Sequence, residues 1–161
     1  MPARAARIAT ETESHEVVAV LLYRQGRFLM QLRDFDKDIP FPGHWGFFSG
    51  SISKNEPPEL TARREIFEEI GFRPDILHKL GHDLVADLDG LSTYAYFCEL
   101  TKPVEELVLG EGADMVLVSP EDILRGRAYS PKFKAEFPTA TTNYIPYTLN
   151  KAMQLIKKIG L

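Results

Sequence analysis

The chain predicts an α+β fold, with a mixed central β-sheet and one helix set into the middle of the strand order. Three observations point there. Short apolar, β-branched runs recur between Gly-containing turns. Only one long helical stretch interrupts them, at residues 57–70, so the regular βαβ alternation of a doubly wound sheet is missing. Finally, 161 residues, 44% of them hydrophobic, can bury a core without disulfides or structural metal. Residues 1–14 read as a polar tail, and residues 15–161 as a single domain.

In chain order, "HEVVAVLLYRQGRFLMQLRDF" predicts two strands around the turn "RQG", with Gly in the left-handed position. "DKDIPFPGHWGFFSG" is a Pro- and Gly-rich loop ending in a short aromatic strand. The helix follows from Pro57 to Ile70, because Pro suits a first turn whose N–H groups have no partner and Gly71 suits a left-handed C-terminal stop. "ILHKLGHDLVADLDGLSTYAYFCEL" predicts two further strands joined at "DLDG". A polar connection leads to the strand "MVLV". "SPEDILRG" carries a helix cap at Ser119, Pro at the first helical position and Gly126 past the end. Residues 127–146, "RAYSPKFKAEFPTATTNYIP", read as an irregular aromatic-rich loop that could line or cover a cleft. A closing helix over Tyr147–Ile159 has Leu149, Met153, Ile156 and Ile159 at helical spacing.

Bulk properties exclude several function classes. A net charge of −4 without a basic block argues against binding a nucleic-acid polymer. The longest apolar run, Val17–Tyr23, is too short to cross a bilayer, and the N-terminus lacks the apolar segment of a secretory signal. The single Cys98, in an apolar strand, permits no internal disulfide. A cytoplasmic setting is the default, and a homodimer is left open.

The chemistry concentrates in "GSISKNEPPELTARREIFEEIGF", residues 50–72. On a helix Glu65, Glu68 and Glu69 are related by i, i+3 and i+4 and share a face, with Leu60, Ile66 and Ile70 opposite and Phe67 at the margin. Like charges so placed repel by a few tenths of a kcal/mol, which a hard divalent cation taking oxygen ligands would offset. An ordinary solvated face partnered by Arg63 and Arg64 is the alternative for this run alone. The surroundings decide against it. Gly50, Glu56, Arg64, Glu65, Glu68, Glu69 and Gly71, with apolar Ile66 and Phe72, satisfy G-x5-E-x7-R-E-U-x-E-E-x-G-U at every position, where U is a bulky apolar residue.

That pattern resembles the box of the Nudix hydrolases, and the order of elements from about His15 to Leu124 is similar to that family's. The resemblance implies an α/β/α sandwich in which the box forms a loop–helix–loop. It implies hydrolysis of a nucleoside diphosphate linked to another group, with Mg²⁺ or Mn²⁺ required. Carried over, Glu68 and Glu69 are metal ligands, Glu65 is the general base or a further ligand, and Ser49 stands where a backbone carbonyl meets the metal. Gly50 and Gly71 belong to the box's framework, and Glu56 with Arg64 braces its loop against the helix. A further acid outside the box, metal-binding or catalytic, best matches Glu111, with Glu105 and Glu106 as rivals. The chain departs from the family in having Phe48-Ser49-Gly50 for Pro-Gly-Gly, and Ser53 and Asn55 for a common acid and a common Gly. Gly adopts positive φ at little cost and Ser does not.

Substrate class is poorly marked. The features of ADP-ribose, diadenosine polyphosphate, NADH and coenzyme A hydrolases are missing, which leaves a nucleoside triphosphate or a nucleotide sugar. Arg33 could meet a phosphate, and Trp45, Phe47 and the Tyr94/Tyr96 strand could meet the base, although entering aromatic residues are more often core. His15, His44, His78 and His82 share no ligand spacing and receive no role. A nucleotide-binding module that does not cleave is the main alternative. An isoprenoid diphosphate isomerase ranks last, because Cys98 lies downstream of where that chemistry needs a cysteine.

Overall fold

Two left-handed residues in succession, Gln25 at φ 48° and Gly26 at φ 83°, fold the first hairpin. That pair matches the twist of the strands it joins, β1 (Glu16–Arg24) and β2 (Arg27–Leu32). The computed structural model describes residues 16–88 and 90–161. The expected tail over residues 1–14, and His15, lie outside the described residues.

β1 is the pivot of the sheet. One side pairs in parallel with β6 (Leu91–Glu99), from Glu16↔Ser92 to Tyr23↔Glu99. The other side is shared. Val17–Val20 pair antiparallel with β4 (Phe48–Ser51), and Leu22–Arg24 pair with β2. β2 diverges from β4 and pairs with β3 (Trp45–Gly46) and β7 (Asp114–Val118). β5 (His78–Val85) closes the far edge against β6. One parallel pair among antiparallel ones makes the sheet mixed, as expected.

Alternation along β1 builds two cores. Val18, Val20 and Leu22 meet Ala62, Ile66 and Ile70 of α1 (Pro58–Ile70). Leu21, with Phe28, Met30 and Leu32 of β2, meets Leu149, Ala152 and Ile156 of α3 (Tyr144–Ile159). The result is helix, sheet, helix. α1 starts at Pro58 behind Pro57 and stops at Gly71 in the left-handed conformation, φ 71°. α2 (Pro120–Arg125) is capped by Ser119, whose hydroxyl accepts the Asp122 N–H, and ends at left-handed Gly126. Cys98 is buried, and desolvation pushes its thiol up to about 12, so it behaves as an apolar filler. No helix among the described residues is long and apolar enough to cross a membrane.

Three expectations are corrected. Residues 127–146 are not an irregular loop, since β8 (Arg127–Ser130) and β9 (Ala135–Pro138) pair as a hairpin from Arg127↔Pro138 to Ser130↔Ala135. α3 begins at Tyr144, and its buried stripe is Ile145, Leu149, Ala152 and Ile156, leaving Met153 and Ile159 exposed. On α1, Leu60 is 54% exposed rather than core. The helix turns Ala62, Ile66 and Ile70 to the sheet, and Glu65 and Glu69 lie within that buried arc beside them instead of opposite.

Candidate active site

The wedge where β2 leaves β1 and β4 takes its place opens a cleft of about 510 Å³ on the α1 face of the sheet. Parity decides which side chains enter it. Gln31 and Arg33 share the parity of Leu29, which packs toward α1, while Phe28, Met30 and Leu32 pack toward α3. Glu65 and Glu69, one helical turn apart, line the cleft at only 6% and 5% exposure.

Gly50 on β4 explains how Glu65 fits there. A Cβ at that position would lie 2.3 Å from Glu65 Cδ, so the carboxylate occupies space that only Gly leaves open. Opposite, the segment after β6 packs its backbone on the last turn of α1. Gly110 N donates to the Glu69 carbonyl at 2.7 Å, and a Cβ on Gly110 would sit 3.1 Å from the Glu68 carbonyl. Glu111 thereby enters the cleft, its carbonyl accepting Gln31 Nε2 at 2.7 Å. Glu105 and Glu106 lie in an exposed 3₁₀ turn and do not line it.

Arg64 ties the loop to the acids. Its Nε and Nη2 donate to the two Glu56 oxygens at 3.0 and 2.8 Å, and Nη1 reaches Glu65 Oε1 at 3.0 Å and Glu68 Oε2 at 3.3 Å. Thr61 Oγ1 also donates to Glu56, at 2.6 Å. These bonds, Arg64's first, hold the Glu56 carboxyl at about 2 against partial burial. The brace needs a tight loop, and Asn55 supplies the turn at φ 65°. Asn tolerates that conformation better than most side chains, so the loop folds without the Gly usual there.

Because Glu56 has a lower pKa folded than unfolded, the brace stabilises fully above 4.5 and is lost as pH falls toward 2. Solvent screening limits it to about 1–2 kcal/mol. Glu56→Gln is expected to lose that much in urea titrations at pH 6 and progressively less below pH 4. A difference from the parent that stays constant across this range would contradict the brace.

Arg33 closes the cleft's other wall. Its Nε donates to the Pro40 carbonyl at 2.5 Å. Burial pushes its guanidinium down from the ordinary value, while Glu69, Asp34 and Glu111 pull it back. Ser49, exposed on β4, also lines the cleft. Trp45 and Phe47 do not. Both pack into the α3-side core, with Trp45 Nε1 donating to the Ala128 carbonyl at 3.0 Å, so the sheet separates them from the acids. Tyr94 and Tyr96 pack around the α1-side core and are likewise absent from the lining. The cleft residues that sequence reading missed include Gln31, Asp34, Ile39, Pro40 and Lys54. Gln31 carried a signal, being a polar residue inside an apolar strand.

Among the described residues no three acidic, His or Cys side chains converge into a ready metal site. Arg64 Nη1 instead binds Glu65 and Glu68 together. The donor set still fits a hard divalent cation. Glu65, Glu69 and Glu111 bring carboxylates to the cleft lining, with Ser49 on its edge and the Gly50 cradle seating Glu65 inward, whereas Glu68 is exposed on α1 outside the lining and reaches the cluster through Arg64.

Comparison with known proteins settles the family. The NUDIX domain model matches residues 13–137. The chain belongs to the Nudix family. The box thus forms the loop–helix–loop around Glu56, Arg64 and α1, within the family's fold. The chain is 40% identical over 65 residues to a protein of Danio rerio named oxidized purine nucleoside triphosphate hydrolase, a match that spans 38% of that relative's length. In three dimensions it is similar to the MutT protein of Methanosarcina mazei Go1, at 19% identity and a TM-score of 0.65, covering 92% of this chain and 99% of that one. It is also similar to the NUDIX domain of Shewanella oneidensis NrtR complexed with ADP ribose, at 20% identity and a TM-score of 0.56, covering 90% and 85%.

Proposed function

We propose that the chain is a metal-dependent pyrophosphohydrolase that cleaves the diphosphate linkage of a nucleoside triphosphate. One observation carries this reading: two carboxylates buried one turn apart face a cation-bearing wall across a cleft of nucleotide size. The name of the Danio rerio relative favours a nucleoside triphosphate over a nucleotide sugar.

In this reading Glu68, Glu69 and the Ser49 carbonyl would hold Mg²⁺ or Mn²⁺, joined by whichever of Glu65 and Glu111 does not serve as the base. Such an ion, when bound, neutralises phosphate oxygens and lowers the pKa of a water. Arg33 pairs with a phosphate oxygen through the guanidinium edge turned from Pro40, and Lys54 meets the polyphosphate at the rim. Arg64 keeps Glu65 oriented. The water proton goes to Glu65, or to Glu111 from the facing wall, either of which can act as a general base beside the reacting phosphorus. The aliphatic Val17, Ile39, Pro40 and Ile52 wall part of the cleft and receive the less polar end of the ligand.

The ADP-ribose-bound neighbour supports a second reading, a nucleotide-binding module that does not turn its ligand over. A panel of nucleoside triphosphates, nucleotide sugars and ADP-ribose with Mg²⁺ separates the two. Release of pyrophosphate and a nucleoside monophosphate from a triphosphate is expected. Saturable binding of any of these by folded protein without product would favour the module.

A further inference from the structure

The β8–β9 hairpin lies outside the acid cluster, on the far side of the sheet, yet it touches both walls of the cleft. Ser130, fully buried at the end of β8, donates from Oγ to Asp114 Oδ2 at 2.5 Å. A hydroxyl–carboxylate bond that short and enclosed is among the stronger neutral-to-charged contacts. The same Oγ accepts the Phe133 N–H at 3.3 Å and so shapes the hairpin tip. From that tip Lys132 Nζ donates to the Ala113 carbonyl at 2.7 Å. Ala113 and Asp114 directly follow Glu111 and Gly112. Gly112 holds φ 98° with Gln31 packed against it, and Ala113 N donates to the Leu32 carbonyl at 2.8 Å. The segment that delivers Glu111 is therefore fastened to β2 on one side and to the hairpin on the other.

The second wall is held by aromatic rings. Phe133 meets Phe35 edge-on with centroids 5.3 Å apart, Phe137 meets Phe35 at 5.5 Å, and Phe133 and Phe137 meet at 5.9 Å. Phe35 lies two residues beyond Arg33 and packs on Gly43, whose Cβ, if present, would be 3.0 Å from the Phe35 ring. Gly43 N in turn donates to the Arg33 and Asp34 carbonyls at 3.1 Å. This ring triad thus sets the loop that carries Arg33 and Asp34.

We infer that the hairpin is the positioning element of the active site, with Ser130 and Lys132 fixing Glu111, and Phe133 fixing Arg33. The two holds act on different steps. Glu111 belongs to the chemistry and Arg33 to binding of the phosphates, so loosening Lys132 should spare KM and loosening Phe133 should spare kcat, while Ser130 bears on both.

The kinetic arm rests on the hydrolase reading, and a second arm does not. In the full chain, with a nucleoside triphosphate and Mg²⁺, Ser130→Ala is expected to lower kcat about tenfold with a smaller rise in KM, because its Oγ also holds the Phe133 N–H. Ser130→Thr is expected to restore both. Phe133→Ala is expected to raise KM about tenfold at near-constant kcat, since a displacement of an ångström at a positioned group commonly costs one to two powers of ten. Lys132→Met, an exposed change that cannot unfold the chain, should follow Ser130→Ala in kcat, more weakly. Backbone amide exchange should quicken at Gly110 and Ala113 in the Ser130 and Lys132 variants and stay unchanged there in Phe133→Ala. A parallel loss of kcat in all three variants would reduce the hairpin to a general stabiliser and overturn the inference, as would unaltered exchange at those amides. If the parent chain turns over no triphosphate, the hydrolase reading falls, and the exchange data alone decide whether the hairpin holds the segment.

Discussion

Glu69→Gln is expected to lower turnover on the order of 10³-fold and to leave the fold intact or slightly more stable. Glu69 is 5% exposed and shares its cleft with Glu65 and Glu111. Its backbone carbonyl already anchors Gly110, and that bond survives the substitution. The amide has nearly the shape of the carboxylate, so packing against Ile66 and Ile70 is kept. What changes is charge. Removing one of three crowded negative charges relieves repulsion of a few tenths of a kcal/mol, and in the proposed hydrolase reading it withdraws a ligand on which electrostatic activation would depend. Losing such a group costs on the order of 10³-fold in kcat. Opposite signs are the test, because an ordinary destabilising mutation lowers activity and stability together. Steady-state rates with Mg²⁺, thermal melts and Mn²⁺ titration of both proteins measure the three quantities. Activity within tenfold of the parent would remove Glu69 from the site.

The box was readable because its residues carry geometry that local sequence fixes: Pro before a first turn, Gly at a left-handed stop, and acids at helical spacing. Its burial was not readable. Periodicity treats Glu as a surface residue, so Glu65 and Glu69 appeared to oppose Ile66 and Ile70, while the structure tucks them into one arc, the Glu65 carboxylate filling the space over Gly50. Leu60 was misplaced by the same inversion.

Trp45 and Phe47 show a second limit. Both precede the acid-bearing loop, but strand alternation sends Trp45 and Phe47 to one face and Phe48 and Gly50 to the other, and the pattern alone does not say which face carries the acids. Phe47 and Phe48 are both buried, in opposite cores. The β8–β9 hairpin escaped notice for a third reason. Its inward residues at Ala128 and Ser130 are small, and its outward ones at Arg127 and Tyr129 are large, so the alternation is present with too little apolar bulk to register. The cost was functional as well as topological, since the hairpin connects the two walls that carry Arg33 and Glu111.

Gly50→Ala is expected to separate activity from folding without any change to the acids. Gly50 lies in extended β4, opposite Val18, with no left-handed requirement. Its backbone accepts Ala, and the loss of unfolded-state freedom even contributes about 0.4–1 kcal/mol in favour of the folded chain. The new methyl, however, would meet Glu65 Cδ at 2.3 Å, Cγ at 2.4 Å and Oε2 at 2.7 Å, where carbon atoms need about 3.5 Å or more. Glu65 is a side chain with rotatable bonds, so it yields before the sheet does, leaving its seat and straining its bond to Arg64. Stability should change by no more than about 1 kcal/mol, while kcat falls on the order of 10²-fold. Gly71→Ala supplies the reciprocal control. Its surroundings are open within 4 Å, but its φ of 71° disfavours a side chain, so it should lose about 1 kcal/mol of stability and keep its rate per folded molecule. If Gly50→Ala retained full activity, the carboxylate of Glu65 would not be needed where the structure holds it, and the base would have to be sought at Glu111.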